Sequence, residues 1–284
     1  MTKTYHVLSL GAGVQSTVLA LLGVRGEIRY DAAVFADTGA EPKAVYRHLE
    51  WLIKECEPHF KVLIRQKGNL LEDLIRGENS TGQRFNAAPF FTLHPDGSRG
   101  ITRRQCTKEY KTDVVDRAIR RDILGLEPRK HIPKDVEILQ YIGMSADEMK
   151  RIVRVRAVFA DNRRAKPVFP LFERGMTRAD CVRWLKNYGV PHETPRSACT
   201  FCPYHSDDEW LRIKNEDPES WEQAVQVDAK IREPGLILNR AFNSQRFVHR
   251  SCVPLDQVEF RPKVQDPQMK LPSMADECEG MCGT

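Results

Sequence analysis

The chain has no apolar run long enough to span a membrane, and no charged segment followed by an apolar one of the kind that directs secretion. Both absences lead us to expect a cytoplasmic protein with no membrane partner. There is no internal repeat and no low-complexity block, so neither an array nor a tether is expected. No Gly-Lys-Ser/Thr follows a glycine turn at Walker spacing, which removes that route to nucleotide binding. Net charge is scant, +5 over 284 residues. That suits anionic ligands without establishing nucleic-acid binding. Cysteine, by contrast, is plentiful. Eight cysteines without an export signal point to reduced thiols serving metal or redox chemistry rather than a disulfide framework. With 41% apolar and 29% charged residues, the chain can bury a substantial core, as one large domain or a domain with an appendage.

The most informative stretch is residues 5–17. Val7, Leu8 and Leu10 read as a buried strand, and Val18 to Val24 as an apolar helix. Between them a short turn holds Gly11, Gly13, Ser16 and Thr17. Small residues there let backbone N–H groups point into one concavity, and the helix N-terminus adds partial positive charge. Such a turn can cradle a phosphate, and it can equally be an ordinary strand-to-helix turn.

Tyr30 to Ala36 reads as a second strand ending in Asp37-Thr38-Gly39-Ala40-Glu41-Pro42, and Pro42 suits the first turn of a helix. Val45, Leu49, Leu52 and Ile53 share one face of that helix, and Phe60 to Ile64 looks like a third strand. The β-α-β-α-β alternation predicts an α/β fold, a doubly wound and mostly parallel sheet whose ligands sit at the carboxyl ends of its strands. The turns at 11–17 and 37–41 should then face one crevice. A long aperiodic loop over 77–105 leads to Cys106 and a helix with Val114, Val115, Ala118 and Ile119 inward. Its arginines and lysines are candidate anion ligands or a solvated face. Val136 to Ile142 is a fourth strand, followed by Gly143, with Glu148 and Arg151 placed as an i, i+3 ion pair. A helix from Thr177 to Tyr188 closes at Gly189, and Ser206-Asp207-Asp208-Glu209 is a capping box for another.

Taken together, these motifs resemble the ATP-pyrophosphatase (PP-loop) superfamily, and within it the phosphoadenylylsulfate (PAPS) reductase-like branch. Gly11-Ala12-Gly13-Val14-Gln15-Ser16 stands where that family has Ser-Gly-Gly-x-Asp-Ser, with Gln15 in place of Asp. Asp-Thr-Gly-x-Glu at 37–41 and Gly143 to Arg151 follow in the family's order, with Ser145 replacing a basic residue that many members carry. The resemblance implies a nucleotide site built from Ser9, Gly11, Ala12, Gly13, Gln15, Ser16, Thr17, Asp37, Thr38, Gly39, Glu41, Gly143, Glu148 and Arg151. It implies ATP, or PAPS/APS, as the nucleotide, with Mg²⁺. It also divides the chain into a nucleotide-binding α/β domain over 1–170 and a helical, cysteine-bearing region over 171–284.

Cys199-x-x-Cys202 puts two thiols within reach of one centre, with Pro203 limiting the next turn. With Cys106 upstream, the pair resembles the ligands of iron–sulfur members of the family, implying a [4Fe–4S] cluster, with zinc as the alternative. A fourth ligand is expected from Cys252, Cys278 or Cys282, and Cys252 is favoured because residues 249–254 read as an ordered segment. Cys56 and Cys181 read as small core residues. Glu277-Cys278 and Cys282-Gly283 each match part of the Glu-Cys-Gly nucleophile of PAPS reductases, which makes Cys278 and Cys282 the candidate catalytic thiols. The leading expectation is an enzyme that adenylylates an acceptor for sulfur transfer, as in DNA phosphorothioation or RNA thiolation. Its partners would be a nucleic-acid acceptor and a sulfur donor such as a cysteine desulfurase. The alternatives are a PAPS/APS reductase that uses a thiol reductant, and a nucleotide-binding module without catalysis.

Overall fold

The computed structural model describes residues 2–77, 87–162, 164–233 and 244–261. Its centre is a five-stranded, wholly parallel sheet in the order β3-β2-β1-β6-β7. The strands are β1 (Lys3–Leu10), β2 (Ala32–Asp37), β3 (Lys61–Gln66), β6 (Val136–Ile142) and β7 (Ala165–Val168). Between β3 and β6 the chain also forms β4 (Phe91–Leu93) and β5 (Arg99–Ile101). β1 is central: Val7 pairs with Ala32 on one side and with Gln140 on the other. Chain order runs outward from β1 in both directions, so the strand order reverses between β1 and β6. The doubly wound expectation holds.

Side chains alternate along β1, and the sheet therefore carries two cores. Leu8 and Leu10 join Phe35, Tyr141 and the helices α1 (Val14–Val24), α2 (Lys43–Cys56) and α7 (Arg178–Tyr188). Val7 joins Val34, Ile138, Ala165 and the inward face of α4 (Asp113–Ala118), where Val114, Val115 and Ala118 are buried as expected. α1 is apolar all round because it is buried all round, from Val14 to Gly23. α2 buries only Val45, His48, Leu49, Leu52 and Cys56, the stripe its period dictates. Thr177 caps α7 through Asp180 N–H, and Gly189 closes it in the left-handed conformation.

Chain on both sides of residue 170 contributes to shared cores. α7 packs on α1, and β8 (Gln245–Phe247) pairs with β4 in a small antiparallel sheet ordered β5-β4-β8. A third core joins Leu70 and Leu74 of α3 (Leu70–Arg76) to Phe201, Trp210 of α8 (Asp207–Glu216) and Val227 of α9 (Pro218–Lys230). This last cluster brings the Cys199–Cys202 segment back to the carboxyl edge of the large sheet. The remaining helices, α5 (Met149–Phe159) and α6 (Pro170–Glu173), precede and follow β7.

Candidate functional site at the carboxyl edge of the sheet

In a doubly wound sheet, the point where strand order reverses leaves a crevice beyond the strand ends. Here it lies between the turns that follow β1 and β6. The first turn takes its shape from Ala12, which is fully buried and adopts a left-handed φ of 57°. Gly13 then returns to extended backbone as the N-cap of α1, and its N–H donates to Ser16 Oγ (3.2 Å). The second turn approaches so closely that a Cβ on Gly143 would stand 2.8 Å from Ser16 N and 3.1 Å from Gln15 C. Two backbones are in contact there, and only glycine permits it.

Gln15 ties the two turns together. Its buried Nε2 reaches Glu148 Oε2 (3.2 Å) and Ser145 Oγ (3.4 Å). Glu148 also accepts from Ser145 N–H and Ser145 Oγ, both at 3.1 Å, and pairs with Arg151. A carboxylate at position 15 would face the Glu148 carboxylate, so an amide donor suits this neighbourhood. Gln15 Oε1 has no hydrogen-bond partner among the described residues.

Beside it, the β2 turn uses Asp37 as scaffold. Asp37 Oδ1 accepts from Gly39 N–H and from Tyr46 Oη, both at 2.8 Å. Gly39 takes a left-handed φ of 69°, and Thr38 Oγ1 points to Cys199 Sγ at 3.6 Å. Glu41 is buried and pairs with the buried ammonium of Lys111 (3.1 Å). Thr200 N–H donates to Ala40 O (2.9 Å), which docks the Cys-x-x-Cys segment onto this turn.

The three sequence-predicted cysteines do meet. Cys106, Cys199 and Cys202 line one small void of about 30 Å³ together with Thr38, Thr107 and Lys111. Burial pushes the Cys199 thiol up, and the Glu41 carboxylate adds to it, while Lys111 pulls the other way. Cys252 instead turns its thiol towards the carbonyl of Thr92 (3.8 Å), from a left-handed φ of 55°. Cys278 and Cys282 lie outside the described residues. Among the described residues, no three His, Cys, Asp or Glu side chains converge tightly enough to hold a single ion.

The donor set nevertheless fits a thiolate-ligated group. Thr107 Oγ1, Ser197 Oγ and Thr200 Oγ1 are buried hydroxyls without hydrogen-bond partners among the described residues, and each lies within two residues of Cys106 or Cys199, placed to donate to sulfur.

The void adjoins two others. Lys111 is shared with a space of about 10 Å³ at Ser9, Gly11 and Phe35. Arg104 and Thr107 are shared with a cavity of about 680 Å³ between α4 and α5, whose floor is Ile138 and Gln140 of β6. Gln140 Nε2 in turn donates to Ser9 Oγ (2.8 Å). The turns at 11–16 and 37–41 thus share an edge, with Lys111 lining the small space beside Gly11 and the void beside Thr38. Lys111 stood in the sequence among other basic residues with nothing to mark it as buried. Arg104 stood among the candidate anion ligands of the basic segment, whereas Gln140 and His48 carried no signal at all, because their partners Ser9, Thr17 and His192 lie far away along the chain. No helix among the described residues is long and apolar enough to cross a membrane. No protein-family model matches the chain, and a search of curated proteins found no match.

Proposed function

We propose that the protein is an adenine-nucleotide-dependent enzyme of sulfur transfer, acting at the carboxyl edge of its parallel sheet. The observation that carries this reading is the meeting of three motifs at one edge. The glycine turn, the Asp37–Glu41 turn and the thiols of Cys106, Cys199 and Cys202 are linked there through Lys111. The α1 N-terminus and its turn would hold the phosphates of ATP, with Mg²⁺ neutralising charge. The 680 Å³ cavity has the size of a nucleotide pocket and is lined by Arg103, Arg104 and Lys108, but by no residue of the glycine turn or of the Asp37–Glu41 turn. It would therefore take the part of the ligand or acceptor that extends away from the phosphates. An acceptor oxygen attacks the α-phosphorus, the bond to the β-phosphate oxygen breaks, and pyrophosphate leaves. The terminal sulfur of a donor persulfide then attacks the adenylated centre, its bond to the AMP oxygen breaks and AMP leaves, and a second thiol takes the donor sulfur as a disulfide to free the thiolated acceptor. A nucleic-acid acceptor and a desulfurase-type sulfur donor fit this chemistry.

Cys106, Cys199 and Cys202 would hold the [4Fe–4S] cluster or zinc that the donor set suits. A cluster would supply a soft site for sulfur next to the phosphates. The chain's own part is to exclude water from the thiols and to set Lys111 between cysteines and nucleotide.

Anaerobically purified protein should release pyrophosphate from ATP when acceptor and sulfur donor are present. Sulfite from PAPS or APS plus a thiol reductant would instead establish the reductase. Neither product, with nucleotide still bound, would leave a binding module. The same preparation should contain iron and acid-labile sulfide, and Cys199→Ser should lose them. Stoichiometric zinc in colourless protein would assign the site to zinc. Protein that holds no metal would remove the centre from the proposal.

A further inference from the structure

A hydrogen-bond chain runs behind the α1 turn from solvent to the helix. Thr17 Oγ1, in the first turn of α1, lies 2.9 Å from His48 Nε2 on α2. His48 Nδ1 lies 2.8 Å from His192 Nε2. Thr17 and His48 are fully buried, whereas His192 is exposed and lines a groove of about 350 Å³ with Val14, Arg178, Lys186 and Glu193. Trp51 packs against both imidazoles, with ring centroids at 5.4 and 5.6 Å.

We propose that His48 and His192 are positioning residues for the phosphate-binding turn, holding Thr17 in place and taking up one proton when a phosphorylated ligand occupies that turn. This rests on the nucleotide reading above. Two neutral imidazoles joined by one N–H···N bond can orient the chain in either direction, so Thr17 either donates to His48 Nε2 or accepts from it. Without ligand the buried His48 resists protonation. Burial pushes His48 down to about 4, and His192 adds to the effect.

Thr17 from α1 and Trp51 from α2 contact the pair, and Arg178 and Lys186 from α7 and Glu193 line the same groove as His192. The cations among them, and the partial positive charge of the α1 N-terminus, oppose a further positive charge. An anion at the turn reverses that balance and favours the protonated pair. Linkage then requires the converse: the protonated pair binds the anion more tightly. Affinity should rise as pH falls, and the rise should depend on both rings.

ATP binding measured by calorimetry from pH 8 to pH 6, in two buffers of different ionisation enthalpy, tests this. Wild-type protein should gain about fivefold more affinity over that range than His192→Gln, and should take up protons that the variant does not. His192 is exposed, and glutamine keeps a partner for His48 Nδ1, so the variant should fold. His192→Asn provides a second substitution at the same position. ATP binding with superimposable pH profiles in wild type and variants would overturn this inference and leave the nucleotide reading standing. Absence of ATP binding at every pH would overturn both.

Discussion

Lys111→Met should cost about 3–5 kcal/mol of folding stability at neutral pH, one of the two largest single-site losses expected in this protein. The Lys111 ammonium and the Glu41 carboxylate form an ion pair with side chains 7% and 0% exposed. Removing the cation alone would leave a charged oxygen pair in a site closed to water. Glu41 Oε2 already has no hydrogen-bond partner among the described residues, so it has nowhere to turn. The double variant Lys111→Met/Glu41→Gln should recover most of the loss, because a neutral amide removes the stranded charge. Urea midpoints of the two singles and the double complete the cycle. A single variant as stable as wild type would show that Lys111 is not what makes the buried carboxylate tolerable.

Gly143→Ala is the second large effect, and it strikes the site itself. The added methyl would stand 2.8 Å from Ser16 N and 3.0 Å from Ser16 Cα, which are backbone atoms of the first turn of α1 and cannot rotate away. Either the β6 turn or the α1 N-terminus must retreat, at a cost of about 1–3 kcal/mol typical of overpacking. Retreat would also stretch the Gln15–Glu148 link that joins the two turns. We therefore expect a lowered urea midpoint together with about a tenfold loss of nucleotide affinity, tenfold corresponding to about 1.4 kcal/mol. Unchanged affinity in a destabilised variant would separate this contact from the binding site.

Much of this architecture was legible from short-range pattern. Leu8 and Leu10 against Val7 announce a two-faced buried strand, and the α2 stripe announces which face turns inward. The convergence of Cys106 with Cys199 and Cys202 was legible only through motif resemblance, since no periodicity joins residues so far apart. Other parts were not legible. β7 contains Pro167, which normally argues against a strand, and it is tolerated because β7 lies at the sheet edge. β4, β5 and β8 have three residues each, too few for alternation to register, and β4 finds β8 only through the tertiary fold. Gln15 read as a departure from a motif, and its reason became visible only when Glu148 stood opposite.

The central position of β1 also has a consequence for biosynthesis. The three strands that end at Gln66 can pair as soon as they leave the ribosome, but the far edge of β1 waits for Val136–Ile142. At translation rates of about 5–20 residues per second, that edge stands open for roughly 4–14 seconds. Its exposed row, from Lys3 to Ser9, is the edge of a parallel sheet that no later neighbour has yet covered. The nascent chain therefore passes through an interval in which its central strand offers an open, adhesive edge, and a chaperone on the emerging chain would find a clear target there.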